Sequence, residues 1–482
     1  MANIGRLINI GTPPPWQAVL ILAVLVVTLL IFWPGLNAGF VSDAFIFLAR
    51  ARDSTLGTLL GDFVPSPGRY YRPLFTILFW LSYETLGERP LAFHLVAFVG
   101  HLASTVLVFV ICLRLCSRRS AAAVSALVFL WALHSHEVMF EASQVHLSVG
   151  GSLLLGAVLC YVEGRYRSSV LLAAIALMMS EGGLLVLPLA GLWEIVSGAR
   201  RTAGPRHAMK RLLPHVGLVA AYLALRLIAA GAHFAVEAEG CRRLRCIVVG
   251  GIEYLNRLFV RPDAAIEVIW THRLICGAVT LGILILAVGM LAPWRWRHWE
   301  GVGFSLGWTA GSCLYFIIAL WPYTSDRFLY IPDMGLALLI GSIWAETIDG
   351  WTAASGRARL GIVGVGIGLI AWLGVGAYMI RQRGFLWAEA GRLAERIVDE
   401  TVALEPSLPE GATVCVSGIP DSYVPGIPPG NTGPYVFRNG FVSALRLRYG
   451  RQDITIVKEC REGSRLAIAP SGTVRRIPAG AQ

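Results

Sequence analysis

Apolar stretches of about 20 residues, the length a helix needs to cross a bilayer core about 30 Å thick, recur along the first four-fifths of this chain. No other feature limits the fold so strongly, because it makes lipid part of the solvent. Of the 482 residues, 56% are hydrophobic and only 15% are charged, which is more apolar surface than a soluble core of that size can bury. The expected fold class is an all-α polytopic membrane protein. Spans are expected to begin near Trp16, Leu91, Ser120, Leu147, Ser168, Gly182, Leu212, Leu274, Gly301, Ile331 and Leu360, about eleven in all.

The net charge of +11 could serve nucleic acid, but the arginines sit in short clusters between apolar runs rather than on one amphipathic face. That placement excludes a nucleic-acid partner and reads as a topology signal. With the N-terminus cytoplasmic, alternate loops carry the charge: Arg114, Arg118 and Arg119; Arg165 and Arg167; Arg200, Arg201, Arg206, Lys210 and Arg211; Arg295 and Arg297; Arg357 and Arg359. Keeping both flanking clusters on that side requires residues 168–197 to form a two-span hairpin, with Glu181 and Gly182-Gly183 at its outer turn. The opening run follows a segment with no small-residue cleavage site, so it is expected to stay as a span. These features predict a multi-pass protein of the plasma (inner) membrane. Residues 1–380 would form the transmembrane domain, with a first outer loop over about 38–90. Residues 381–482 would form a small α+β extracytoplasmic domain. That tail reads as an amphipathic helix from about Trp387 to Leu404, followed by strands in ATVCVSG and DITIVKE. Cys241 and Cys246 in an outer loop, with Cys415 and Cys460 in the tail, are candidates for two disulfides, although CRRLRC is equally compatible with a reduced pair.

Ionisable side chains at membrane depth cost about 2.5 to 3.5 kcal/mol each, so the few that are kept call for a reason. Four clusters fall at the outer ends of spans. Asp43, in GFVSDAFIFLAR, follows the first span and stands alone among apolar neighbours. A partly desolvated carboxylate there could act as general base for a hydroxyl, while helix capping is the commoner fate of such a residue. PSPGRYYRPLF places Arg69 and Arg72 beside Tyr70 and Tyr71, where a guanidinium fork suits phosphate and the tyrosines suit the headgroup level. WALHSHEVMFEASQVH carries His134, His136, Glu137, Glu141 and His146. A metal would need third and fourth ligands at suitable spacing, which are not evident, so a divalent ion stays open as an alternative but is not indicated, and no cofactor is assigned. WPYTSDRFLYIPDMG carries Asp326 and Arg327, a pairing that is more often structural than catalytic.

The order of these segments resembles the GT-C class of integral membrane glycosyltransferases. Asp43 comes after the first span, then YYRPLF, FHLVAFVGHL, ALHSHEVMFEASQVH, SEGGLLVLPL and SDRFLYIPDMG. The likeness is to the protein O-mannosyltransferase relatives, including the membrane part of the transmembrane and tetratricopeptide-repeat mannosyltransferases, and it covers roughly residues 30 to 345. It implies a first outer loop lying as short helices above a cavity open to the bilayer, and a polyprenyl-phosphate-linked sugar as donor. It also implies Asp43 as the base that activates an acceptor hydroxyl on a protein, glycolipid or polysaccharide. Arg72 and Arg327 would hold the donor phosphate, with Arg69 and Tyr71 beside them, and His134, His136, Glu137, Glu181 and Asp326 would line the cavity. Where the family often has paired acids this chain has Asp43-Ala44, so a second carboxylate would come from elsewhere, with Asp53 and Asp62 as candidates. A transporter or lipid flippase, and a noncatalytic cell-envelope polysaccharide assembly protein, stay open as alternatives.

Overall fold

A computed structural model of the chain describes residues 15–67, 70–198, 204–230, 244–259, 298–320, 325–351, 356–423, 433–457, 465–469 and 471–477. Arg69, the span expected near Leu274, the Cys241–Cys246 pairing and Cys460 lie outside these residues. Cys415 is engaged in a disulfide.

Within the first half, the helices run α1 (Pro15–Leu36), α2 (Ala44–Asp53), α3 (Leu56–Gly61), α4 (Pro73–Leu86), α5 (Pro90–Cys116), α6 (Arg119–Leu130), α7 (Ser135–Phe140), α8 (Val145–Val162), α9 (Tyr166–Met179), α10 (Val186–Gly198) and α11 (Pro205–Ala230). They continue as α12 (Leu244–Phe259), α13 (Trp299–Leu320), α14 (Tyr330–Trp351), α15 (Gly356–Leu404) and α16 (Phe441–Tyr449). Proline opens α4 and α5 at their first turns, where its missing N–H costs nothing. Ser117 closes α5 in the left-handed region, its N–H donating back to the Leu113 carbonyl at 2.8 Å.

Among the described residues, eight helical stretches are long and apolar enough to cross a membrane, while α6 and α9 are apolar but shorter. Both short helices had been expected as spans from their apolar runs. The expected hairpin over 168–197 is present as α9, a 3-10 turn at Glu181–Leu185, and α10. Along α1, Trp16, Val19, Leu20, Ile21 and Leu22 are exposed, as are Leu360, Val365, Ile367 and Ile370 on α15, an apolar surface that lipid would cover.

The interior is built by α5 packing on α6 and α8, α14 on α6 and α13, and α9 on α8. α1 packs along α15, where Gly35 and Gly39 face Gly384 and Gly391: a Cβ on Gly384 or Gly391 would strike the facing backbone, one on Gly35 would strike the Phe140 ring, and one on Gly39 would press on Gly391. α15 runs without a break through residue 380, the position at which the sequence places the start of the tail. Beyond it, β1 (Thr413–Ser417), β2 (Thr455–Val457), β3 (Arg465–Ile468) and β4 (Val474–Ile477) form a sheet of order β2-β1-β3-β4. β1 is parallel to both β2 and β3, and β3 is antiparallel to β4. The chain is therefore an all-α membrane protein with a small α+β element at its C-terminal end, the class expected from its apolar runs and from the pattern of its tail.

Candidate functional site

Four pieces of backbone, distant in sequence, carry Asp43, Glu137, Glu181 and the Asp326–Arg327 pair, and of these α7 packs directly on the turn at Asp326–Leu329. They are the start of α2, the wholly buried helix α7, the 3-10 turn at Glu181–Leu185, and a second 3-10 turn at Asp326–Leu329 that leads into α14. Helix α7 is only six residues long, is buried along its whole length and packs against α1, α5, α15 and the Asp326 turn.

Asp43 occupies the N-cap position of α2, yet its side chain makes no capping hydrogen bond. Its Oδ1 is buried and without a hydrogen-bond partner. The preceding residue, Ser42, is held at φ +52°, a region serine rarely adopts. Arg327 and Glu141 are both within Coulombic reach of Asp43.

Arg327 anchors the acidic side of this centre. Its Nη1 lies 3.6 Å from Glu137 Oε1 and 3.8 Å from Glu141 Oε2. Glu137 is fully buried and saturated with donors: the Ser325 hydroxyl at 2.6 Å, the Arg327 backbone N–H at 3.1 Å and the Tyr435 hydroxyl at 3.3 Å. Glu141 accepts from the Ser143 hydroxyl at 2.7 Å on one oxygen, and its other oxygen has no hydrogen-bond partner. A buried carboxylate with one open oxygen is costly to ionise.

A second centre surrounds Arg72. Its Nε lies 2.6 Å from Glu181 Oε2 and its Nη1 donates to His146 Nε2 at 3.1 Å, while His146 Nδ1–H donates to the Ser143 carbonyl at 2.9 Å. Arg226 approaches the other Glu181 oxygen at 3.8 Å, and both guanidiniums sit over the Tyr70 ring, at 4.8 and 5.1 Å from its centroid. The Glu181 turn forms because the Ser180 hydroxyl accepts from the Gly182 N–H at 3.3 Å. Tyr71 is buried, and its hydroxyl donates to the Phe63 carbonyl at 3.1 Å. Arg50, Asp62, Ser66, Tyr70, Tyr71 and Arg72 line a small open cleft. His146 lies within Coulombic reach of both Arg72 and Arg327 and so links the two centres.

Behind them, Trp387 Nε1–H donates to His136 Nδ1 at 3.1 Å, which leaves His136 Nε2–H to meet Asp326 Oδ2 at 3.0 Å. Arg257 Nη1 holds the other Asp326 oxygen at 2.9 Å. His134 bridges Asp333 at 2.8 Å and the Arg257 carbonyl at 3.1 Å. Among the described residues, no three His, Cys, Asp or Glu side chains are arranged to hold a metal ion.

Asp43, Glu137 and Arg327 thus share one centre, Arg72, Tyr71 and Glu181 a second, and His136 and Asp326 a supporting pair, with His134 in its own contact. Asp62 is held by Arg50 at 2.6 Å and Asp53 by Arg52 at 3.1 Å; the second acid that faces Asp43 is Glu141. Sequence reasoning gave no role to Arg226, Arg257, Asp333, Trp387 or Tyr435. His146 and Glu141 belong to the segment ALHSHEVMFEASQVH, but no local signal marks them as partners of Arg72 and Arg327.

No protein-family model matches the chain. Protein O-mannosyl-transferase Tmtc1 of Drosophila melanogaster is 32% identical over 185 residues, covering 34% of this chain and 21% of that protein. Protein O-mannosyl-transferase TMTC3 of Homo sapiens is 24% identical over 185 residues, covering 34% of this chain and 20% of that protein. Among solved structures, ArnT from Cupriavidus metallidurans bound to undecaprenyl phosphate aligns with a TM-score of 0.48 at 13% identity, over 92% of this chain and 86% of that one. The same protein in the apo state aligns with a TM-score of 0.46. The chain spans about a fifth of the length of the curated relatives it matches, and the membrane glycosyltransferases to which its motifs bear a resemblance are the proteins to which it is similar.

Proposed function

We propose that this protein is an integral membrane glycosyltransferase that moves a sugar from a polyprenyl-phosphate carrier to a hydroxyl acceptor, with Asp43 as general base. The observation that carries the reading is the state of the Asp43 carboxylate, which stands at a helix N-terminus without capping it and has one buried oxygen without a hydrogen-bond partner, within Coulombic reach of Arg327. A carboxylate not spent on capping can take a proton from an incoming hydroxyl.

In the proposed step, the acceptor oxygen bonds to the anomeric carbon as the bond from that carbon to the carrier's phosphate oxygen breaks. The hydroxyl proton passes to Asp43, and the lipid phosphate leaves with the bonding electrons. This is a single displacement, so the anomeric configuration inverts. Arg72 and Arg327 would hold the phosphate, whose charge grows as the bond breaks. Glu181 and Glu137 hold those guanidiniums in place, and His136, His134 and Asp326 brace the turn that carries Arg327. The polyprenyl-phosphate donor and the mannosyltransferase-like character are supported by the motif order and by the similarity to the O-mannosyl-transferases. The arginine distribution supports a plasma-membrane protein whose site and tail face outward.

Asp43→Asn tests the proposal in proteoliposomes supplied with polyprenyl-phosphate mannose. Turnover should fall by about 10²- to 10⁴-fold, the usual contribution of a general base. Wild-type turnover in the variant would remove Asp43 from the mechanism. Movement of the lipid carrier across the bilayer with no sugar consumed, by either protein, would favour a flippase.

A further inference from the structure

The tail does not stand apart from the membrane helices. Its segment 433–440 enters the interior beside Asp43, with Tyr435, Val436 and Phe437 all buried. The Val436 carbonyl accepts the Ser42 N–H at 2.8 Å, directly before the proposed base. Gly440 lies so close to the Ser42 carbonyl that a Cβ there would collide with it. Ser42 thus keeps its left-handed conformation against a wall supplied by the far end of the chain. The Tyr435 hydroxyl donates to Glu137, the carboxylate that pairs with Arg327.

This segment is itself anchored on both sides. Arg383 of α15 donates to the Gly433 carbonyl at 2.9 Å, and the Trp387 ring meets Tyr435 edge-on with centroids 6.0 Å apart. Within the tail, the Tyr423 N–H donates to Pro434, and the Val436 and Phe437 N–H groups donate to Asp421 and Pro420, at 2.9 to 3.2 Å. Phe437 packs against Phe45 of α2 and Phe441 of α16.

We infer that segment 433–440 is a positioning element of the transfer site: Val436 and Gly440 fix the Ser42–Asp43 turn, and the Tyr435 hydroxyl sets Glu137 and, through it, Arg327. The inference rests on the reading of Asp43 as base. It gives the tail a part in the reaction, because the tail supplies the Val436 carbonyl that accepts the Ser42 N–H and adds the Tyr435 hydroxyl to the donors that Ser325 and Arg327 give Glu137.

Gly440→Ala and Tyr435→Phe, made in the full chain in proteoliposomes, test it through two readouts: the number and affinity of polyprenyl-phosphate mannose sites by equilibrium binding, and turnover per bound site. Gly440→Ala should keep the number of donor sites and lose about tenfold or more in turnover per site. Tyr435→Phe should weaken donor affinity by up to about tenfold, the scale of one hydrogen bond to a charged group. A merely structural role would remove sites and turnover together, and that outcome overturns the inference. If Gly440→Ala does not insert, Tyr435→Phe decides alone, since it removes one oxygen: wild-type affinity and turnover would overturn the inference. Wild-type behaviour in both variants, with Asp43→Asn inactive, sinks the inference and leaves the transferase reading standing. Full activity of Asp43→Asn sinks both.

Discussion

Replacing Glu141 by glutamine should flatten the pH dependence of both stability and donor binding. Burial, reinforced by the carboxylates of Asp43 and Glu137 and opposed by Arg327, pushes the Glu141 carboxyl from its ordinary 4.5 up to about 7. The folded protein therefore holds this proton more tightly than the unfolded chain does. The resulting stabilisation is complete below about 4.5 and is lost as pH rises through about 7. Each tenfold in proton affinity is worth about 1.4 kcal/mol, so the group contributes on the order of 3 kcal/mol across that window. Thermal unfolding of the detergent-solubilised protein between pH 5 and pH 8 reads this directly. Wild type should lose several degrees in Tm relative to Glu141→Gln as pH rises, because the amide stays neutral throughout. Ser143 can still donate to the amide oxygen, which keeps the local packing comparable.

The same titration changes what Arg327 offers a phosphate. Above about 7 its guanidinium faces the carboxylates of Glu137 and Glu141, with Asp43 nearby; below it, one of those charges is gone. Donor KM should be lower at pH 6 than at pH 8 in wild type, and should stay at its low-pH value in Glu141→Gln. Parallel Tm curves for the two proteins, or an unchanged pH profile of donor KM, would refute the account of Glu141.

Two further predictions follow from contacts of other kinds. Gly384→Ala puts a Cβ 2.7 Å from the Gly35 backbone nitrogen, so α1 and α15 must separate, at a cost of about 1 to 3 kcal/mol in thermal unfolding. Gly374→Ala on the same helix meets nothing within 4 Å and should stay within about 1 kcal/mol of wild type. Arg72→Lys keeps the charge but cannot reach Glu181 and His146 with one planar fork, so donor KM should rise about tenfold with expression and Tm little changed.

The amino-acid sequence determined the architecture because its signals are local. A run of apolar residues needs lipid and a helix wherever it lies, and a serine before Glu181-Gly182 turns the chain whatever surrounds it. The placement of Asp43, Arg72, Glu137, Glu181 and Arg327 at the ends of such runs was legible for the same reason. Their partners were not. Arg72 meets Glu181 across 109 positions, Glu137 meets Tyr435 across 298, and His136 meets Trp387 across 251; nothing in the spacing of one segment specifies a contact with another so far away. Arg381, Gln382 and Arg383 read as a membrane boundary, yet α15 continues through them because all three are helix-tolerant and Arg383 finds the Gly433 carbonyl. Likewise, SDA after the first span reads as a cap, whereas in the structure the Asp43 side chain makes no capping hydrogen bond and the Ser42 N–H is bound by Val436 of the distant segment 433–440. Local pattern decided which segments would be helices and where charge would gather at their ends; the tertiary structure decided which of those charges would face one another, because burial compels each to find a partner from whatever element lies against it.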